Sequence, residues 1–177
     1  MKRIGLLSDT HSCWDERFAE YFADCDEIWH AGDVGSMEVA DKLAALHPLR
    51  CVCGNCDGGD LRIVYPPLAR FRVEEVEVMM THIGGYPGHY APHIRERLMR
   101  RPTDLFVCGH SHILKVVRDP ALGLLHINPG AAGHQGWHLV RTLLRFSITG
   151  KRIHDLEVVE LGGRQADNIR RIGQNGC

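Results

Sequence analysis

The sequence lacks a surplus of either charge: Lys and Arg total 21 against 22 Asp and Glu, a formal net charge of -1. Without a broad basic field there is no general attraction for a nucleic-acid backbone, so an anionic ligand has to be held by a local site. Long apolar runs are missing too. The basic start is followed only by the short run Ile4 to Leu7, too brief for a secretory or membrane-spanning segment, so neither export nor a membrane partner is expected. A paired disulfide framework is also unsupported, because the cysteines number 7, an odd count; with no export signal this predicts reduced thiols and a cytoplasmic location. Internal repeats and low-complexity linkers are absent. What is present is an ordinary globular composition, 44% hydrophobic and 24% charged over 177 residues, enough for one domain with a real core. A single domain over 1–161 is expected, followed by a loosely held, polar C-terminal tail over 162–177.

Arg3 to Leu7 reads as a buried strand. Trp14 to Phe22 has Trp14, Phe18, Tyr21 and Phe22 at the spacing of one helical face. Asp26 to His30 is a second strand, Ser36 caps a helix through Leu46 that turns Val39, Leu43 and Leu46 inward, and Leu49 to Cys53 is a third strand. This βαβαβ order predicts a parallel sheet covered by helices, with ligands beyond the carboxyl ends of the strands. The alternation in "ARFRVEEVEVMMTH" predicts an antiparallel hairpin ending at His82. Pro92 opens a helix, where a missing N–H costs nothing, and "DLFV" is a further strand. The last third reads as short antiparallel strands, with Thr142, Leu144, Phe146 and Ile148 on one face.

A polar loop follows each apolar strand: "SDTH", "HAGDVG", "GNCDG", "THIGG" and "CGHSH". Asp9 and His11 are two apart, as are His110 and His112, and in extended chain that spacing puts both side chains on one side. Asp33, Asn55 and His82 add single ligand-type residues from the other loops. Seven oxygen and nitrogen donors at one sheet edge exceed the four of a tetrahedral zinc, and the mix of carboxylate, amide and imidazole suits two adjacent divalent ions. The three cysteines of "CVCGNC" make a poorer site. Cys51, Cys53 and Cys56 have no obvious fourth ligand nearby, and the first two fall on a buried strand, where cysteine acts as a small apolar filler.

The ordered set D-x-H, G-D, G-N, H-x-G and G-H-x-H resembles the signature of the calcineurin-like metallophosphoesterase superfamily, and "GNCD" with "INPGA" resembles its small single-domain phosphodiesterase branch. The resemblance runs from Asp9 to Gly130. It departs from the pattern at Ile83, which separates His82 from Gly84. It implies an α/β fold, a four-layer α/β/β/α sandwich with mixed sheets. It also implies that Asp9, His11, Asp33 and His112 hold one metal while Asp33, Asn55, His82 and His110 hold the other. Manganese leads, with iron, nickel and zinc as alternatives. Two such ions lower the pKa of a bridging water and clamp the phosphoryl oxygens for in-line displacement. Against two carboxylates and one hydroxide they leave about one net positive charge to attract phosphate.

The implied activity is hydrolysis of phosphate esters, most of all phosphodiesters. Asp33 and Asn55 are central to catalysis, Asn55 and His82 contact the substrate, and His89 and Asn128 are further substrate candidates. Many superfamily members carry a general-acid histidine where this chain has Cys56, which predicts a preference for leaving groups that need no proton; Asp57 and His89 are other acid candidates. The expected substrate is a small phosphate ester or nucleotide, and a homo-oligomer is compatible. The rival implied by the same branch is a protein-interaction scaffold like the retromer subunit. His30 and His126 are expected to pack or hydrogen-bond at strand ends, His93 to flank a helix start, and the basic run from Arg95 to form a solvated helix face.

Overall fold

The computed structural model describes residues 1–163; beyond Gly163 the expected tail lies outside the described residues. The predicted βαβαβ order is present as β1 (Lys2–Leu7), α1 (Arg17–Phe22), β2 (Glu27–His30), α2 (Met37–Leu46) and β3 (Leu49–Cys51). A short helix, α3 (Gly59–Val64), follows. Then come β4 (Leu68–Val73), β5 (Val76–Thr81), α4 (Pro92–Arg100), β6 (Leu105–Val107), β7 (Leu114–Asp119) and β8 (Leu124–Pro129). The pair β9 (Val140–Thr149) and β10 (Arg152–Gly163) ends the described chain.

These strands form two five-stranded sheets, ordered β10-β9-β1-β2-β3 and β4-β5-β6-β8-β7. Both are mixed: β1, β2 and β3 are parallel while β9 runs antiparallel to β1, and β5, β6 and β8 are parallel between antiparallel edge strands β4 and β7.

Side-chain alternation sorts the apolar residues into layers. Ile4 and Leu6, Trp29, Val78 and Met80, Leu105 and Val107, and Leu144, Phe146 and Ile148 meet between the sheets. The alternate positions Leu7, Ile28 and Leu143 face outward onto Phe18 and Phe22 of α1, Val39 and Leu43 of α2, and Leu61 of α3. On the far side Met79 and Phe106 pack against Ile94 and Leu98 of α4. The result is the expected four-layer α/β/β/α sandwich, in which each fully buried aliphatic contributes about 1.5–3 kcal/mol by leaving water.

Several boundaries differ from expectation. α1 begins at Arg17, not Trp14, because Asp15 accepts hydrogen bonds from the Arg17 backbone and guanidinium and turns the chain there. β3 stops at Cys51; Val52 and Cys53 stay buried, but only Val52 N still donates to β2, at His30 O, while Cys53 N donates to Pro66 O. Leu46 is only half-buried. α3 occupies a stretch for which the sequence pattern predicts no element, and β9 and β10 are long strands of 10 and 12 residues, not short ones. The α2 cap is as expected, with Ser36 Oγ accepting from Val39 N at 3.4 Å. Among the described residues no helix is long and apolar enough to cross a membrane.

Candidate metal centre

The parallel strands β1, β2, β5 and β6 point their carboxyl ends toward one edge, and the loops beyond them are stitched together by their backbones. Asp9 N donates to Gly32 O, His11 N to Asp33 O, Gly109 N to His82 O and Gly133 N to Asp9 O, each at 3.0 Å. This stitching holds Asp9 (φ 56°), His11 (φ 47°), Asp33 (φ 53°), His110 (φ 68°) and His112 (φ 57°) in the left-handed region. Non-glycine residues there are strained and persist only where their surroundings over-determine them, as at functional sites.

The side chains so presented form two clusters, Asp9 with His11 and His112, and Asp33 with His82 and His110, the donor atoms of each lying within 4.8 Å of one another. His112 Nε2 is 3.1 Å from Asp9 Oδ1, and His82 Nε2 is 3.2 Å from Asp33 Oδ2. His11 Nε2 bridges the clusters, 4.0 Å from Asp9 Oδ1 and 3.8 Å from Asp33 Oδ2. Despite this crowding, Asp9 Oδ1, His11 Nε2 and His82 Nε2 are buried and have no hydrogen-bond partner among the described residues. Buried polar atoms without partners are costly. Atoms that surround a point without bonding one another suit a bound cation, and this donor set of carboxylates and imidazoles fits divalent transition metals.

The outer groups fix each donor. Ser8 Oγ donates to Asp9 Oδ2 at 2.6 Å, as does His110 N at 3.1 Å, leaving Oδ1 for the site. Cys56 N donates to Asp33 Oδ1 at 2.8 Å, leaving Oδ2. His82 Nδ1 lies 2.8 Å from Ala31 O, so that nitrogen carries the proton and Nε2 presents a lone pair. His30 pairs with Thr10 Oγ1 at 3.0 Å, as expected of a packed histidine, and burial pushes its pKa down to about 4. Glycines admit the close approaches: a Cβ on Gly54 would run into the Asp33 carboxylate, and one on Gly109 would lie 2.8 Å from Asp9 Oδ2.

Electrostatics agree with a site suited to positive charge. Burial works to raise both carboxyl pKa values, yet the adjacent His82 ring and the Cys56 N–H hold Asp33 far below the usual range, and His112, His82 and Ser8 pull Asp9 down. Burial opposes protonation of His82, but the Asp33 carboxylate 3.2 Å from its Nε2 and the Asp9 charge outweigh it and raise its pKa. His110 moves the other way, lowered by burial and by His82.

Six of the seven donor residues expected from sequence therefore lie in the two clusters. Asn55, the seventh, is exposed on the adjoining turn, its amide donating to Cys56 Sγ at 3.4 Å. Cys56 Sγ itself lies within 4.8 Å of His11 and Asp33 donor atoms. Asp57 is a loop clamp: its carboxylate accepts from Gly35 N and Gly54 N at 2.8 and 2.7 Å, and both oxygens are thereby engaged. Cys51 and Cys53 are buried fillers, and among the described residues no cluster joins them to Cys56. Asn128 and His89 line a groove beside His110, whereas His93 sits with arginines of α4 in a separate depression. Sequence reasoning missed Ser8 and Thr10, adjacent to Asp9 in "SDTH", and Arg62, which donates to the carbonyls of Asp57 and Gly54 and braces the Asn55 turn. The extra residue Ile83 joins the groove wall.

A family model described as "Calcineurin-like phosphoesterase superfamily domain" matches residues 1–151. A probable metallophosphoesterase of Methanothermobacter thermautotrophicus is 31% identical over 135 residues, 72% of this chain and 76% of that protein. Among solved structures, Vps29 of Entamoeba histolytica complexed with zinc superposes with a TM-score of 0.69 at 14% identity, covering 92% of this chain and 99% of that one. A novel archaeal phosphodiesterase superposes at 0.62 with 20% identity, covering 89% and 99%. Both structural likenesses concern the fold.

Proposed function

The chain belongs to the calcineurin-like phosphoesterase superfamily, and from that premise we propose that it is a phosphodiesterase working with two divalent ions, manganese first. The observation that carries this reading is the trio of buried, unpartnered donor atoms on Asp9, His11 and His82. Asp9, His11 and His112 would hold one ion and His82, His110 and Asn55 the other, with Asp33 shared. When bound, the ions supply Lewis acidity and a water of lowered pKa. The protein's own share is placement. Ser8, Cys56 N and the Ala31 carbonyl lock the donor orientations before substrate arrives.

Cys56 governs the leaving group in this scheme. Burial and the nearby Asp33 carboxylate push its thiol up, so it keeps its proton at neutral pH and is a weak acid toward a departing alkoxide. Rates measured across aryl and alkyl leaving groups should fall steeply as leaving-group pKa rises. A flat dependence would point to another acid.

The decisive experiment measures bound metal in the purified protein and assays bis(4-nitrophenyl) phosphate with and without added manganese, for wild type and Asp33→Asn. Metal binding with manganese-dependent turnover, both lost in the variant, is the expected result. Metal without turnover would favour a scaffold, a reading that draws on the Vps29 likeness and on the exposed apolar rim of Ile113, Trp137 and Leu139.

A further inference from the structure

Overlapping the two donor clusters is a further one, in which His11, Asp33 and Cys56 bring ligand atoms within 4.8 Å of one another. It alone of the clusters among the described residues contains sulfur. Cys25, Cys51, Cys53 and Cys108 are buried, where packing accounts for them, but Cys56 is exposed on the turn after β3. That turn is firmly held. Cys56 N donates to Asp33 Oδ1 at 2.8 Å, Gly54 N to Asp57 Oδ2 at 2.7 Å and Arg62 Nε to Asp57 O at 2.6 Å. The thiol is therefore carried on backbone fixed against the Asp33 carboxylate. Asn55 Nδ2 donates to Cys56 Sγ at 3.4 Å, the kind of outer contact that orients a ligating atom.

A second observation concerns His11. Its side chain is 7% exposed, and Nε2 has no hydrogen-bond partner among the described residues. A buried ring nitrogen without a partner thus lies close to the sulfur and to a carboxylate. Carboxylate and imidazole alone are indifferent among borderline divalent ions, whereas a soft thiolate added to them favours zinc, iron or cobalt over manganese.

We propose that Cys56 Sγ is a ligand to the ion held by Asp9, His11 and His112, which makes the two metal positions chemically unequal. The sulfur-bearing position selects a thiophilic divalent ion, and the other, with nitrogen and oxygen donors only, accepts manganese. The proposal rests on the two-ion reading above and adds a ligand to it. On binding, a metal–sulfur bond replaces the S–H bond and the proton leaves to water. The bound sulfur then has no proton to give a departing alkoxide, so the steep leaving-group dependence stands.

The test loads metal-free full chain with cobalt(II), counts bound ions and records the near-ultraviolet spectrum, for wild type, Cys56→Ser and Asn55→Ala. A sulfur-to-cobalt charge-transfer band is expected in wild type and Asn55→Ala and absent from Cys56→Ser. Competition against a chromophoric chelator should show zinc affinity about tenfold or more lower in Cys56→Ser, with manganese affinity nearly unchanged. Bound cobalt without the band, or a band that survives in Cys56→Ser, overturns sulfur ligation and leaves the two-ion reading intact. Failure to bind cobalt, zinc or manganese overturns both. A band lost in Cys56→Ser, from protein that hydrolyses no phosphodiester with any of these ions, supports the sulfur ligand and overturns the esterase reading.

Discussion

The two ends of the sandwich use the same backbone conformation for opposite purposes. At the amino end of the parallel strands, Glu74, Gly123 and Gly150 take positive φ to close the β4–β5, β7–β8 and β9–β10 turns. Two of these residues are glycines, for which the conformation is nearly free, and the third is exposed, pairing with the chain's amino group. At the carboxyl end glycines such as Gly32, Gly35 and Gly130 take it too, but so do Asp9, His11, Asp33, His110 and His112. These five bring donor atoms around one place and leave Asp9 Oδ1 and His11 Nε2 without partners among the described residues. Left-handed backbone at a hairpin turn serves the fold. The same conformation in chemically reactive residues, joined to unsatisfied buried atoms, serves a ligand.

Substitutions at the two ends should separate these roles. The largest effect is expected at the donor end, where Asp33→Asn should lower kcat/KM on a nitrophenyl phosphodiester by about 10³-fold and strip metal. Glu74→Gln at the turn end should leave both unchanged, and comparable losses at both ends would erase the distinction.

Acid gives the next largest effect. His30, at the donor end of β2, and His126 have folded pKa values near 4 against an ordinary value of 6.5. Between these values the unfolded chain takes up protons that the folded chain refuses. Stability is therefore complete above pH 6.5 and falls as pH drops toward 4, by about 3 kcal/mol for each histidine at most. Urea unfolding of metal-free protein at pH 7 and pH 4.5 measures it, and His126→Gln should remove that residue's share. An unchanged midpoint would mean that neither histidine is neutral in the fold.

Smallest are the glycine exchanges. Gly54→Ala should cost about 1–3 kcal/mol and weaken metal binding, because the new methyl group meets the Asp33 carboxylate. Gly123→Ala, with φ +70° and open space around it, should cost about 1 kcal/mol by strain alone and keep the metal. Thermal melts with metal analysis distinguish the two.

Much of this was legible in the chain. Alternation placed Leu144, Phe146 and Ile148 on one face, which proves to be the inward one, and the βαβαβ order put the ligand loops at one edge, since both follow from local periodicity. Cys51 and Cys53 of "CVCGNC" were readable as buried fillers for the same reason. Less legible were α3, whose sequence "GDLRIV" has too few turns to show a period, and the start of α1, set by Asp15 hydrogen bonds to Arg17. The clamp made by Asp57 and the groove made by Tyr86, His89 and Lys115 were hidden because their partners are distant in sequence.

The sequence by itself determined which residue types stand at the strand ends, because strand periodicity and loop chemistry are local properties. Only the tertiary structure decided which of their atoms face one another. That outcome depends on Gly32, Asp33 and His82 accepting backbone hydrogen bonds from other loops, on glycines thin enough to let Asp33 and Asp9 approach, and on burial that leaves three donor atoms without protein partners. These are long-range constraints of packing, and no single stretch of the chain contains them.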